Sequence, residues 1–226
     1  MTPVYSICMC NYNMAHTLEQ AVTSVAAQLD DRFEIVLIDD GSSDDSVSIM
    51  RELSAHYSII RVISLKRNRS RKLGATRNFG IREARGQYCL LHLDCDDTWE
   101  PHIVSWINVF HQIEAAVGTD ILLAGQQIHI AKRDLLLEHG PYPNVFRDED
   151  RIMYRRFAAL GILWFLEHKV FRTRLPHRKT KNFRRTIVHT IDHITNDFRL
   201  GERLSNYIWL EVRHARTRTL KLTFFR

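Results

Sequence analysis

From residue 4 to residue 130, short runs of almost unbroken apolar residues alternate with segments whose apolar positions recur every three or four residues. This rhythm constrains the fold more than any other feature of the chain. It predicts strands over residues 4–10, 33–38, 59–65, 88–93 and 121–130. It predicts helices over 17–28, 43–57, 72–84 and 101–117. In the first helix Leu18, Ala21, Val22 and Val25 share a face. Ser43 is placed to cap the second, and Pro101 suits the first turn of the fourth. Strands that are apolar on both faces, separated by helices, imply an α/β fold with a mostly parallel sheet flanked by helices. A chain of 226 residues is long enough for one sizeable core. In such sheets ligands bind beyond the carboxyl ends of the strands, near the point where strand order reverses.

Past Arg133 the pattern weakens. A loop with Gly140, Pro141 and Pro143 leads to Asp148-Glu149-Asp150, which opens a helix. A strand-like stretch over 163–174 follows, then a basic loop over 178–185 and one or two amphipathic helices. The expected division is a catalytic domain over 1–175 and a basic helical C-terminal extension over 176–226. Charge is uneven: residues 1–120 carry a net −5 and residues 121–226 a net +11, for the total of +6. The acidic half suits a site that gathers carboxylates. The basic half suits an anionic partner such as a diphosphate, a lipid phosphate or a membrane face. No run approaches the roughly 18 apolar residues of a transmembrane helix, and no signal peptide is visible. Cys8, Cys10, Cys89 and Cys95 match no zinc or disulfide spacing and are read as reduced core residues.

Two acidic strand ends carry the chemistry. Leu93-Asp94-Cys95-Asp96-Asp97 puts three carboxylates within four residues. They repel one another unless a cation neutralises them, and hard divalent ions prefer such oxygen ligands. Asp39-Asp40-Gly41-Ser42 closes the second strand, where a carboxylate can accept from a base N–H or from ribose hydroxyls.

The order and spacing of four segments resemble family 2 glycosyltransferases over about residues 4–101. They are Tyr5-Ser-Ile-Cys-Met-Cys-Asn-Tyr-Asn13, Val36-Leu-Ile-Asp-Asp-Gly-Ser-Ser43, Ala75-Thr-Arg-Asn-Phe-Gly-Ile81 with Gly86-Gln-Tyr, and Leu93-Asp-Cys-Asp-Asp97. Glu149-Asp150, with Arg156 beyond, is similar to the family's acidic pair at a helix start. The resemblance implies a GT-A (Rossmann-like) fold, a nucleotide-diphospho-sugar donor, a divalent metal (Mn²⁺ or Mg²⁺) and inversion at the anomeric carbon. It implies that Cys10, Tyr12, Asp40, Arg77 and Asp94 bind the nucleotide, that Asp96 binds the metal, and that Asp150 is the general base. It implies an acceptor hydroxyl on a glycan or lipid-linked molecule. The reduced cysteines and the lack of a visible signal or membrane segment give the expectation of a cytoplasmic protein, whose basic half could touch the cytoplasmic membrane face. The chain departs from the family at Cys10, where proline is common, at Asn11, where threonine is usual, and in the charge-rich loop Lys66-Arg-Asn-Arg-Ser-Arg-Lys72.

The alternatives are a sugar nucleotidyltransferase and a catalytically inactive, nucleotide-sugar-binding relative. The first usually has a glycine-rich phosphate loop after strand one, where this chain has Cys10-Asn-Tyr-Asn-Met-Ala-His16. A nucleic-acid partner is not expected, because no recognition motif is present and the acidic half repels a polyanion. His189 and His193 stand four apart, but as packing or surface residues, and His92 as a strand residue facing a helix. Arg172, Arg174, Arg178, Lys179, Lys181, Arg184 and Arg185 form a basic stretch that could close over a diphosphate. The segment over 207–226 mixes aromatics and cations and could lie on an anionic membrane.

Overall fold

The computed structural model describes residues 2–145 and 148–176, with residues 187, 191, 194–196 and 198. The chain falls into two compact units, Met1–His177 and Arg178–Arg226. Most of the expected basic extension, including His189, His193 and the segment over 207–226, lies outside the described residues.

Strands β1 (Tyr5–Asn11), β2 (Phe33–Asp39), β3 (Ile60–Ser64) and β4 (Tyr88–Leu91) run parallel. They are joined through helices α1 (Ala15–Ala26), α2 (Ser46–His56) and α3 (Leu73–Glu83). After α4 (Ile103–Val117) the expected fifth strand is instead a hairpin, β6 (Leu122–Ala124) and β7 (His129–Lys132). Its turn puts Gln127 in the left-handed region at φ 70°. Helix α5 (Arg133–His139) occupies the start of the expected loop, and α6 (Glu149–Ala159) begins at the predicted acidic residues. The expected strand over 163–174 is two short strands, β8 (Leu163–Phe165) and β9 (Arg172–Arg174), in different sheets. β9 pairs antiparallel with β5 (Asp97–Trp99). The large sheet has the order β3-β2-β1-β4-β7-β6-β8. β7 is antiparallel to both neighbours, so β6 and β8 run in the same direction as β1 to β4.

Both faces of this sheet are covered, which is why its strands are apolar at successive positions. Ile7, Met9, Ile35, Leu37, Leu90 and Ile130 pack with Leu18, Val22, Met50, Ile103 and Phe110. Cys8, Cys89, Leu91 and Ala131 point the other way, toward Ile81, Leu136, Met153 and Phe157. Alternation along β1 and β4 therefore sends α1, α2 and α4 to one face and α3, α5 and α6 to the other. Helix α3 approaches the sheet so closely that a Cβ on Gly80 would stand 2.6 Å from Ile38 Cδ1 and 3.2 Å from Cys8 Cβ. The order reverses between β1 and β4. The crevice at their carboxyl ends is the site that such topology provides. Among the described residues no helix is long and apolar enough to cross a membrane.

Candidate active site

The turn after β2 separates the roles of its two aspartates. Asp39 is buried. Its carboxylate accepts from the Gly41 N–H at 3.1 Å, the Ser42 N–H at 3.0 Å and Asn11 Nδ2 at 3.0 Å. It builds the turn. Gly41 follows at φ 78°, as a sharp reversal requires. Helix α2 then starts at Ser46, later than Ser43, with the Ser46 N–H donating to Asp44 Oδ1. Asp40 is left at the mouth of the crevice. Arg67 Nη1 reaches its Oδ2 at 2.9 Å and Arg71 Nε reaches its Oδ1 at 2.6 Å. The Arg67 guanidinium also lies 4.3 Å from the centre of the exposed Tyr12 ring. The charged loop over 66–72 thus folds onto the wall formed by Tyr12 and Asp40. Beneath it, burial pushes the Cys10 thiol up to about 12, so this side chain is a neutral lining group.

The second acidic motif is a loop rather than a strand end. β4 stops at Leu91, and His92 takes a left-handed φ of 68°. The turn is closed by the Asp97 N–H donating to the Asp94 carbonyl at 3.2 Å. Cys95 is buried in the core between Asp94 and Asp96. Carboxylate oxygens of Asp94, Asp96 and Asp97 all lie within 4.8 Å of one another. Asp97 is fully buried and already engaged: Arg172 Nη1 lies 2.6 Å and Arg174 Nε 3.0 Å from its Oδ1. Arg174 Nη2 reaches on to Asp96 at 3.5 Å and Asp94 at 4.0 Å. The sequence shows both arginines as part of a basic stretch. The signal for their role is the alternation Arg-Thr-Arg, which puts two cations on one face of a strand.

A third element joins these. Arg77, on α3, is buried. Its Nη2 donates to Asp94 Oδ1 at 3.0 Å. Its Nε lies 3.3 Å from Glu149 Oε1, an ion-pair contact rather than a directed hydrogen bond. Burial opposes the Arg77 charge, but Asp94 and Glu149 among its neighbours outweigh it and hold the guanidinium charged. Glu149 is pushed up to about 7, chiefly by burial, against the lowering effect of Arg77. Asp150 follows in the first turn of α6, its Oδ1 accepting from the Arg151 N–H at 2.8 Å. Burial pushes the Tyr142 and Tyr154 hydroxyls up, and nearby Asp150 adds to it.

The loop leading to α6 is fastened to the same helix. Asn78 donates to the Tyr142 carbonyl and accepts from the Tyr142 N–H, both at 2.7 Å. The Gly74 N–H donates to the Val145 carbonyl at 3.1 Å. Gly74, Arg77 and Asn78 lie three and four residues apart, on one face of α3. The expectation that His92 faces a helix from a strand is corrected, because the residue sits past the strand end. Its Nε2 lies 3.1 Å from the Tyr142 hydroxyl and its ring packs 4.5 Å from His129. Burial, then Arg77, pushes both imidazoles down, His129 to about 3, so both are neutral wall groups.

The metal-ligand chemistry of the acid loop fits a hard divalent ion. Asp94 and Asp96 offer the oxygen donors, and Asp97 is committed to arginines.

The family model described as glycosyl transferase family 2 matches residues 6–203. A cholesterol galactosyltransferase of Borreliella burgdorferi is 33% identical over 171 residues, covering 70% of this chain and 46% of that protein. The succinoglycan biosynthesis protein ExoO of Rhizobium meliloti is 35% identical over 159 residues, covering 70% and 40%. This chain therefore spans less than half the length of these relatives. Among solved structures, a Pyrobaculum calidifontis mannosyltransferase in complex with GDP-Man and Mn²⁺ superposes with a TM-score of 0.66 at 17% identity, over 88% of this chain and 65% of that one. Staphylococcus aureus TarS 1-349 in complex with UDP-GlcNAc gives 0.64 at 18%, over 77% and 59%. The shared architecture is the GT-A fold.

Proposed function

The chain belongs to glycosyl transferase family 2, and on that premise we propose that it moves a sugar, with inversion, from a nucleotide-diphosphate donor to an acceptor hydroxyl. The observation that carries this reading is the bridge made by Arg77. It ties Asp94, in the acid loop after β4, to Glu149, at the start of the helix that bears Asp150. Carboxylates 55 residues apart in sequence thereby meet at one crevice, which inverting transfer needs. One set must face the leaving diphosphate, while the other must reach an incoming hydroxyl from the opposite side of the sugar.

In this mechanism Tyr12, Cys10 and Asp40 form the base pocket, Asp40 accepting from the base. Asp94 stands by the ribose, steadied by Arg77 at 3.0 Å. Asp96, with Asp94 beside it, would hold the divalent ion, Mn²⁺ or Mg²⁺. When bound, that ion stabilises the charge developing on the leaving diphosphate, by several kcal/mol. Asp150 takes the proton from the acceptor hydroxyl as it attacks the anomeric carbon, a contribution of about 10²–10⁴-fold. Glu149 is engaged by Arg77 and buried, so the more exposed Asp150 is the member of the pair able to meet an acceptor.

The relatives' names bear on the acceptor. One is a cholesterol galactosyltransferase and another a glucosyltransferase acting on GlcNAc-diphosphoundecaprenol. We therefore favour a lipid or lipid-linked hydroxyl, met at a membrane face. The test is Asp150→Asn. It should lose transfer by at least about a hundredfold. It should still gain melting temperature from UDP-, GDP- or dTDP-sugars with Mn²⁺, since a ligand bound to the folded state stabilises it by mass action. Normal turnover by this variant would remove Asp150 from the mechanism.

A further inference from the structure

Three adjacent carboxylates repel, yet the acid loop already holds its own counter-charges. Arg77 takes Asp94, Arg172 takes Asp97, and Arg174 touches all three at 3.0, 3.5 and 4.0 Å. The three arginines differ in freedom. Arg77 is buried with a second partner in Glu149, and Arg172 is largely buried. The Arg174 side chain is 48% exposed. If Arg174 swings away, the fully buried Asp97 keeps Arg172 at 2.6 Å and is not orphaned. All three carboxylates lose a contact, but Asp94 keeps Arg77 and Asp97 keeps Arg172. The loss is not made good by another of the three arginines at Asp96, which with Asp94 would hold the metal.

From this geometry we infer that Arg174 is the resident counter-cation of the acid loop, which the divalent ion displaces and which then pairs with the donor's diphosphate. This rests on the metal site assigned under the proposed function. Metal alone must evict a guanidinium that has nowhere better to go, and so binds weakly. Metal arriving with a nucleoside diphosphate offers Arg174 a new anion, and a guanidinium fork matches phosphate oxygens well. Each ligand therefore raises the affinity of the other by the same factor, as linkage requires. A loaded metal is in this way coupled to a loaded donor, with β9 as the coupling element.

The experiment uses the full chain and measures Mn²⁺ binding by calorimetry, alone and with UDP or GDP, whichever the wild type binds. Wild type should bind Mn²⁺ weakly alone, and at least about tenfold more tightly with the nucleotide. Arg174→Gln should bind Mn²⁺ alone more tightly than wild type, and most of the enhancement by nucleotide should vanish. Arg174→Lys keeps the charge without the fork, and should fall between them. Lys169→Gln removes another exposed cation from the same segment between β8 and β9 and should change neither quantity more than about twofold. Melting curves confirm that each variant is folded. If Arg174→Gln is folded and its Mn²⁺ affinity and nucleotide coupling match wild type, the inference is wrong while the metal site stands. If Lys169→Gln has the same effect as Arg174→Gln, bulk charge explains it and the inference is again wrong. If wild type binds no Mn²⁺ under either condition, both this inference and the metal site fall.

Discussion

Replacing Glu149 with glutamine should change how the stability of the protein depends on pH, in a direction set by the buried groups around it. In the folded protein the Glu149 carboxyl titrates at about 7, against an ordinary 4.5. The folded state therefore holds a proton that the unfolded chain has released over this window. Its stabilising effect is complete below pH 4.5 and is lost as pH rises to about 7. At 1.36 kcal/mol for each pH unit between the two values, the full loss is about 3 kcal/mol. His129 acts oppositely. Its pKa falls from 6.5 to about 3, so its contribution is present above 6.5 and lost as the solution is acidified toward 3. His92 has the same sign. Between pH 4.5 and 6.5 the carboxyl therefore offsets part of what the imidazoles contribute, and the wild-type profile rises less steeply than the imidazoles alone would make it. Glu149→Gln removes the descending contribution. The variant should gain stability relative to wild type as pH rises from 5 to 8, by about 2–3 kcal/mol, whatever its offset at pH 5. Urea midpoints for both proteins at four pH values across that range measure it. Parallel profiles for the two proteins would refute the assignment of Glu149 as a buried, proton-holding carboxyl.

The two aspartates of the β2 turn should behave differently under the same change. Asp39→Ala strands two N–H groups and takes one of two acceptors from the Asn11 amide, and should cost about 2–4 kcal/mol in denaturant titration. Asp40→Asn weakens pairs with the half-exposed Arg67 and the half-buried Arg71 while keeping one acceptor, and should cost about 1–2 kcal/mol. It should weaken donor binding by roughly tenfold, the value of a charge-assisted bond, in a titration with the nucleotide sugar. Gly80→Ala forces a methyl against Ile38 and Cys8, and should lower stability by about 1–3 kcal/mol, read as a fall in melting temperature.

The first half of the fold was legible because its strands and helices have the periods that a doubly covered sheet imposes. The acid loop and the Glu149-Asp150 helix start were legible from charge placed at element boundaries. The hairpin between β6 and β7 was not, because Gly125-Gln126-Gln127 lacks the usual Asn-Gly signal and places Gln127, a residue that rarely adopts it, at a left-handed φ. Helix α5 has only seven residues, and Leu135 and Leu136 hold it by docking on the second face of the sheet. The motif around Arg77 points to a nucleotide ligand. The burial of Arg77 between Asp94 and Glu149 depends on where α6 packs, which no local pattern states. The role of Arg172 and Arg174 depends on pairing with a strand 75 residues earlier, and pairing partners cannot be read from one strand's sequence.

Helix α3 has a consequence for exchanging parts of this molecule. Its Gly74, Arg77 and Asn78 form three sockets that receive the carbonyl of Val145, the carboxylate of Glu149 and the peptide of Tyr142. The nucleotide half and the half that carries the proposed base are thus separate in sequence but keyed together through one helical face. A chimera that grafts a relative's residues 121–176 onto this chain should keep its geometry only if the incoming segment has plugs for those three sockets. Where it does not, α3 has to be transplanted with it.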